Sequence, residues 1–512
     1  MSSTFHGLET SLRGLRTHQS ALNTTGHNIS NASTPGYSRQ RVNFTQTEAF
    51  PAPGRNRPQI PGQLGTGVEA GSVQRVRESF LDLQFRGEST KSGYWSARSN
   101  ALQKMEEIIN EPSDHGLGKT MDRFWQSLQD LAVNPEDSGA RSVVRERGKA
   151  LAGTFNYLSG SLTSIKDDIK LQIDNSADTI SSIAEQINDL NRQIGELEPH
   201  GYLPNDLYDK RDLLVDQLSE LANVKVSKVD SGGDDLEIAE GKYTIQLVDD
   251  SGTAIGTLVD GEKLNWNELK VGYQDGKANT FTLTEYDKDG NATGKAPEAI
   301  NYTAKGQLLG QIEAHNEVYP EMLSKLDEMA YQFVEAFNAQ HQAGKGLDDS
   351  TGLNFFNIPD RTDGTKVDAS DWSGAASLIK LDANITGDSG LNKIAASSDG
   401  NDGDGSNALL LSDVKDETLT FQSGDATFQS FYEGAIGEMA VDTQQANRLK
   451  GNSETLKQSV EERRQSVSGV SLDEEMTRMM QFQHAYNAAA RNITSIDEML
   501  DRIINGMGRV GR

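Results

Sequence analysis

The chain has 512 residues, with Asp+Glu 76 against Lys+Arg 49 and a formal net charge of −27. That length exceeds what one ordinary core organises, so about two to four domains are expected, and the acidity argues against nucleic acid or an anionic membrane as partner, because like charge repels phosphate. Cysteine is absent, which excludes disulfide scaffolds, thiolate metal sites and cysteine nucleophiles.

The opening Met1-Ser-Ser-Thr-Phe-His-Gly lacks the basic and apolar regions of a cleaved signal peptide. No run of about 18 apolar residues predicts a membrane span. The N-terminal end is locally basic, with Arg13, Arg16, Arg39, Arg41, Arg55 and Arg57 against Glu9 and Glu48. From Leu8 the apolar residues Leu12, Leu15, Leu22 and Ile29 follow at spacings of 4, 3, 7 and 7, a heptad seam with Gln19 and Gly26 at its weak positions. In Asn28-Ile-Ser-Asn31-Ala-Ser-Thr34-Pro35-Gly36-Tyr37, Asn31 and Ser33 suit a helix end. Pro35-Gly36 predicts a type II turn with Gly36 at positive φ. Tyr37 then begins an extended run through Val42 and Phe44.

Residues 78–225 read as helix. Asn134-Pro135-Glu136-Asp137 predicts a helix start with Asn134 as the cap. Leu158, Leu162, Ile165, Ile169, Ile173, Ile180, Ile183, Ile187, Leu190, Ile194 and Leu197 form a long 3–4 stripe, and Pro204-Asn205-Asp206 opens a further helix ending near Leu221. At Val224 the period changes to two. Val224-Lys-Val226, Leu236-Glu-Ile238 and Tyr243-Thr-Ile245-Gln-Leu247 alternate like half-buried strands, with turn residues at Gly232-Gly233, Asp250-Ser-Gly252 and Asp289-Gly290. Helix returns over 306–343. Residues 345–425 are rich in Gly, Asp and Ser and read as loops with short strands or a second weak insertion. Helix resumes from Phe428 to about Val467.

Ser471-Leu-Asp-Glu474 reads as a capping box. Behind it Leu472, Met476, Met479, Tyr486, Ala490 and Ile493 repeat the 4–3 rhythm, continued by Ile496, Leu500, Ile503 and Met507. The expected fold class is therefore α+β and multidomain: paired terminal helices forming a coiled coil, a long-helix bundle, and an inserted β-rich outer domain. The expected divisions are 1–45 with 468–512, 46–224 with 306–467, 225–305, and the loop-rich 345–425. One interrupted seam per terminal helix leaves each marginal alone, so the ends are expected to order when neighbouring subunits cover them.

No catalytic, cofactor or metal residues are assigned. None of the eight His forms an i, i+4 pair, Gly65-Thr-Gly67 lacks the rest of a phosphate loop, and Gly160-Ser161 lacks the rest of a nucleophile elbow. Asp399-Gly-Asn-Asp402-Gly-Asp404-Gly405 offers clustered oxygens for calcium but no closing Glu, and reads as an acidic loop. Asp167-Asp168 and Asp249-Asp250 read as solvated faces. A membrane-docking role for the C-terminal helix needs a cationic face, whereas 471–507 carries six acids against three Arg.

The segment from Asn28 to Tyr37, with Leu8-Glu-Thr-Ser-Leu-Arg-Gly-Leu15 and Ala21-Leu22-Asn23 before it, closely resembles the N-terminal signature of flagellar rod, hook and hook-associated proteins. Ser79-Phe-Leu-Asp-Leu-Gln-Phe-Arg86, Leu128-Gln-Asp-Leu-Ala-Val-Asn134, Pro204-Asn-Asp-Leu-Tyr-Asp-Lys-Arg211, Gln481-Phe-Gln-His-Ala-Tyr486 and Ala490-Arg-Asn-Ile-Thr-Ser-Ile-Asp-Glu-Met-Leu500 resemble the hook-associated protein 1 family within that group. The resemblance implies a structural subunit, not an enzyme, that self-associates in a ring-like segment between hook and filament. It implies contacts with hook protein and hook-associated protein 3, and extracellular delivery by the flagellar type III system. It also implies a cytoplasmic export chaperone on the C-terminal helix, for which the stripe from Leu472 to Met507 is the physical candidate. The terminal-helix residues Leu8, Leu12, Leu15, Leu22, Ile29, Leu472, Met476, Met479, Tyr486, Ile493, Leu500 and Ile503 are the expected subunit interface, and Asn28, Asn31, Thr34, Pro35, Gly36 and Tyr37 the family turn. The neighbouring reading is another axial subunit, a hook protein or a flagellin-like chain.

Overall fold

A computed structural model describes residues 5–51, 54–55, 62–114, 116–361, 365–369 and 371–506. The sequence features at Arg57, His115 and Met507 lie outside them.

The chain opens with α1 (His6–Ser30), followed by the antiparallel pair β1 (Gln40–Gln46) and β2 (Val68–Arg75). Three helices then build the body: α2 (Ser79–Ile109), α3 (Leu117–Val133) and α4 (Ser138–Leu197), the last 60 residues long. The start of α4 differs from expectation. Asp137, not Asn134, is its cap, accepting from the backbone N–H groups of Gly139 and Ala140, and Asn134 closes α3 instead. Two of the three residues between α3 and the cap are Pro135 and the acidic Glu136, which shifts the start signal one turn downstream. Along the stripe of α4, Leu158, Leu162, Ile169, Ile173, Ile180, Ile183, Ile187 and Ile194 are buried, Ile165 and Leu190 are partly buried, and Leu197 reaches solvent. Next comes α5 (Asn205–Leu221).

Six strands follow as an antiparallel meander in the order β3-β4-β5-β6-β7-β8. They are β3 (Val224–Val229), β4 (Lys242–Val248), β5 (Ala254–Asp260), β6 (Asn265–Gln274), β7 (Lys277–Tyr286) and β8 (Glu298–Ile300). In β4 the alternation is plain: Tyr243, Ile245 and Leu247 are buried between partly exposed neighbours. The sheet lies on α4. Polar residues of that helix face satisfy strand backbone: Asn191 Nδ2 donates to Tyr243 O at 2.8 Å while its Oδ1 accepts from Tyr243 N at 2.9 Å, and Ser181 Oγ accepts from Leu269 N at 2.9 Å. Leu236–Ile238, expected as a strand, is a turn whose Leu236 and Ile238 are both exposed. Without one buried face, alternation has nothing to act on.

Beyond the sheet, α6 (Gln307–Glu313) passes through a π-type turn into α7 (Tyr319–Ala343). The Gly/Asp-rich stretch holds β9 (Phe356–Asn357), α8 (Ala375–Leu378), β10 (Lys380–Leu381), α9 (Ala383–Thr386), α10 (Ser406–Asp413), β11 (Leu419–Phe421) and β12 (Gly424–Ala426). It packs on α3, α4 and α7. Its Phe355 and Phe356 are fully buried among Phe124, Phe333 and Phe337, with ring centroids 4.9–6.2 Å apart across the cluster. Burying each such ring contributes about 1.5–3 kcal/mol. In the acidic loop, Asp404 accepts from Ser397 Oγ, Ser398 N and Ser406 N, so its carboxylate organises the loop itself. Among the described residues no three His, Asp or Glu side chains are grouped to hold a metal.

The chain ends in α11 (Phe428–Ser468), antiparallel to α2, and α12 (Leu472–Gly506). Glu474 does not reach back to cap α12. It accepts from Arg39 and Arg478, each at 2.7 Å.

Candidate assembly interface

The two ends of the chain pair antiparallel. Near the start of α1, a Cβ added at Gly7 would lie 3.2 Å from Ile496 Cδ1, while at its end Asn28 bonds Glu475. Midway, His18, Phe44 and Phe482 bring helix, strand and helix together, with ring centroids 5.8–6.3 Å apart. Burial between these rings lowers the pKa of His18.

Asn28 is the centre of the signature turn. It is almost fully buried, and every hydrogen-bonding site on its amide is used. Its Nδ2 donates to Gln40 O and to Glu475 Oε2, both at 2.9 Å, and its Oδ1 accepts from Tyr37 Oη at 2.8 Å and Gln40 N at 3.0 Å. Asn31 Nδ2 donates to His27 O at 3.0 Å, and Thr34 Oγ1 to Asn31 Oδ1 at 3.2 Å. Pro35 and Gly36 form the expected turn: Tyr37 N donates to Thr34 O at 3.2 Å and Gly36 has φ +78°. Glycine is required there twice over, because a Cβ at Gly36 would also stand 3.1 Å from Leu213 Cβ. Burial, helped by Asp206, Asp209 and Glu475, raises the Tyr37 pKa and keeps its hydroxyl a donor.

The turn and β2 dock onto α5. Ser38 N donates to Asp209 Oδ2 at 3.0 Å, and Asn205 Nδ2 to Val73 O at 2.9 Å. A buried ionic network fixes this joint. Arg75 meets Asp209 at 2.7 Å and Asp212 at 3.0 Å, and also pairs with Glu240. Arg77 meets Asp82 at 2.7 Å and Asp212 at 3.2 Å, and Arg86 meets Asp212 at 3.2 Å and Asp216 at 2.8 Å. Arg464 of α11 pairs with Asp216 from the other side. Burial works to raise the Asp212 carboxyl, but Arg77, Arg75, Arg86 and Arg211 outweigh it and hold the pKa well below the ordinary range. Sequence reasoning did not find this network. Its signal was the i, i+3, i+7 spacing of Asp209, Asp212 and Asp216 along one face of α5, opposite Arg75 and Arg77 at alternate positions.

The expected interface residues fall into two groups. Leu8, Leu15, Leu22 and Ile29 on α1, and Met479, Tyr486, Ile493 and Leu500 on α12, are partly buried in the pair. Leu12, Leu472, Met476 and Ile503 are exposed. The buried stripe of α1 is instead Thr17, Ala21, Thr25 and Asn28; Thr17 Oγ1 donates to Val68 O at 3.1 Å, and Asn28 bonds both Gln40 and Glu475. Met480, Met499 and Ile504 add to the apolar surface that one chain leaves uncovered.

Three family models match. Residues 8–37, α1 and its turn, match the flagella basal body rod protein family, and 463–506, which holds α12, match the C-terminal family of flagellar basal body rod proteins FlgEFG. Residues 102–356 match the helical domain of flagellar hook-associated protein FlgK. The chain is 43% identical over 521 residues to flagellar hook-associated protein 1 of Bacillus subtilis (strain 168), covering 100% of both. The chain belongs to the flagellar hook-associated protein 1 family. It is also 26% identical to the Escherichia coli (strain K12) protein of that name, over 97% of this chain and 99% of the other. The flagellar hook junction protein FlgK of Burkholderia pseudomallei shares the fold, with a TM-score of 0.61 at 16% identity, over 75% of this chain and 100% of that one. The family resemblance read from the signature turn and the α5 motif is therefore the right one. In this family member the two rod-type segments, far apart in sequence, are the two strands of one helical pair.

Proposed function

We propose that this chain is a structural subunit of the junction between flagellar hook and filament, assembled through its paired terminal helices. The observation that carries the reading is the α1–α12 pair. It is joined to the body through the signature turn and its bond to Asp209, yet keeps Leu12, Leu472, Met476, Met480, Ile503 and Ile504 exposed. A lone helix pair with that much apolar surface gains by burying it against another subunit. Contacts of one face with a different face of the next identical copy generate a ring or a helical layer, and the family points to a ring-like segment at the end of the hook. In this reading hook protein lies below and hook-associated protein 3 above, and the six-stranded sheet faces outward. Export proceeds through the flagellar type III apparatus, with a cytoplasmic chaperone covering the apolar stripe of α12 before assembly.

Immunogold microscopy of purified hook–filament preparations, with antibody to residues 225–305, tests this. A single band of gold at the hook–filament boundary supports the junction. Label along the whole hook or filament makes the chain a bulk axial subunit, and antigen confined to the cells removes it from the flagellum.

A further inference from the structure

The body carries a second apolar surface, away from the α1–α12 contact. Helices α2 and α11 run antiparallel, tied by Asp82 to Arg464 at one level and by Ser99 to Asn447 at another. Beside the first of these ties lies a groove with a cavity of about 280 Å³, lined by Leu83, Gly87, Glu88, Leu456, Val460 and Arg463 among others. Phe80, Leu83 and Leu456 are 60%, 65% and 52% exposed. Phe80, Leu83 and Gly87 share one face of α2 by their i, i+3, i+7 spacing. A Cβ at Gly87 would meet nothing within 4 Å. The arrangement is a hole between two helices with its apolar walls in place and no knob in it.

The same chain carries a matching knob. On α12, Leu472, Met476 and Met480 follow at i, i+4, i+8 and are 50%, 57% and 54% exposed. Within one chain α12 is committed to α1 through Asn28 and Glu475, which leaves this stripe outside the pair. The lengths agree: the stripe spans about 12 Å and the α11 wall of the groove, from Leu456 to Arg463, about 10 Å, at 1.5 Å per residue. The charges fit as well: the exposed Asp473 flanks the stripe and the exposed Arg463 lies on the groove rim, while Glu88 of the lining is paired with Lys91.

We infer that the α2–α11 groove of one copy receives the Leu472–Met476–Met480 stripe of a second copy. This rests on the junction reading above and adds to it a contact between the terminal pair of one subunit and the body of the next. Such a contact is heterologous, so it propagates around a ring instead of closing a dimer.

The absence of cysteine makes a cross-linking test clean. Full-length Leu83→Cys and Met476→Cys chains are produced together in one flagellated strain, and hook–filament preparations are oxidised and blotted for the protein. The expected result is a disulfide dimer when both variants are present and none with either alone. Both variants in the preparation without a dimer, or a cross-link of a mass that reports a different partner, overturns the inference. Gly87→Leu gives a second reading, because a Cβ there has open space, the larger side chain occupies the hole, and helix propensity improves. It is expected to leave the thermal midpoint unchanged or higher and to reduce the protein recovered in the preparations about tenfold. If Gly87→Leu is recovered at the wild-type level, this contact falls and the junction reading stands. If wild-type protein is itself missing from the preparations, both fall.

Discussion

Asn28 Nδ2 donates to Glu475 Oε2 at 2.9 Å across 447 residues of sequence. Together with the bonds to Tyr37 and Gln40, that contact makes one buried amide the meeting point of α1, the signature turn, β1 and α12. Replacing Asn28 by Ala strands the Tyr37 hydroxyl, the Gln40 backbone groups and Glu475. Each unsatisfied buried group costs about 1–3 kcal/mol. Asn28→Ala is therefore expected to raise amide hydrogen exchange throughout α12 while the protection of α4 and of the sheet stays as in the wild type. Equal loss of protection in all three would contradict the local role.

Gly36→Ala meets two obstacles, the positive φ and the Leu213 side chain. The backbone term alone costs about 1–3 kcal/mol. Equilibrium urea unfolding is expected to show the loss, and Leu213→Ala is expected to relieve part of it in a double-mutant cycle.

The joint on α5 is expected to fail under acid. Asp212 has its folded pKa held below the unfolded value, so its stabilisation is present above roughly pH 4 and is lost as pH falls through the folded pKa. Asp212→Asn leaves Arg75, Arg77 and Arg86 short of a buried carboxylate, at a cost of about 3–5 kcal/mol. The variant is expected to be destabilised at pH 7 and to lose less stability than the wild type between pH 4 and 2, as read from urea midpoints across that range.

His341 predicts a separate, milder acid transition in the body. It is buried, with Nδ1 2.7 Å from Leu353 O and Nε2 accepting from Ala395 N at 3.1 Å. Desolvation lowers its pKa from 6.5 to about 4. The unfolded state therefore binds a proton that the folded state refuses. Stability is complete above about pH 6.5 and falls by about 3 kcal/mol as pH drops to 4. His341→Phe is expected to lower stability at neutral pH and to remove this slope.

What the sequence disclosed follows what one residue and its near neighbours can encode. The turn at Pro35-Gly36 was legible because Gly36 supplies a conformation that other residues resist. The change of period at Val224 was legible because β4 buries one face against α4. The leucine seam of α1 is only partly buried, with Leu12 exposed, whereas Thr17, Ala21, Thr25 and Asn28 are the buried residues, which a search for large apolar side chains passes over. Phe355 and Phe356 complete the aromatic core from a segment otherwise poor in apolar residues, so average composition hid them. The network around Asp212 joins β2, α2 and α5 with the β3–β4 connection, while Arg464 of α11 joins it at Asp216. Pairings of that range leave only the spacing of the acids on α5 as a local trace.

The central claim is that the exposed apolar faces of the terminal helices seat the protein at the junction. Leu12, exposed on α1, tests it most directly. Leu12 is 38% exposed, so Leu12→Asp gives up part of its packing in α1 and lowers the thermal midpoint modestly, while circular dichroism is expected to show the helical body and the sheet folded as in the wild type. Quantitative immunogold at hook ends is expected to show the variant missing from the hook–filament boundary. A folded Leu12→Asp protein that fills the boundary at wild-type density would contradict the account.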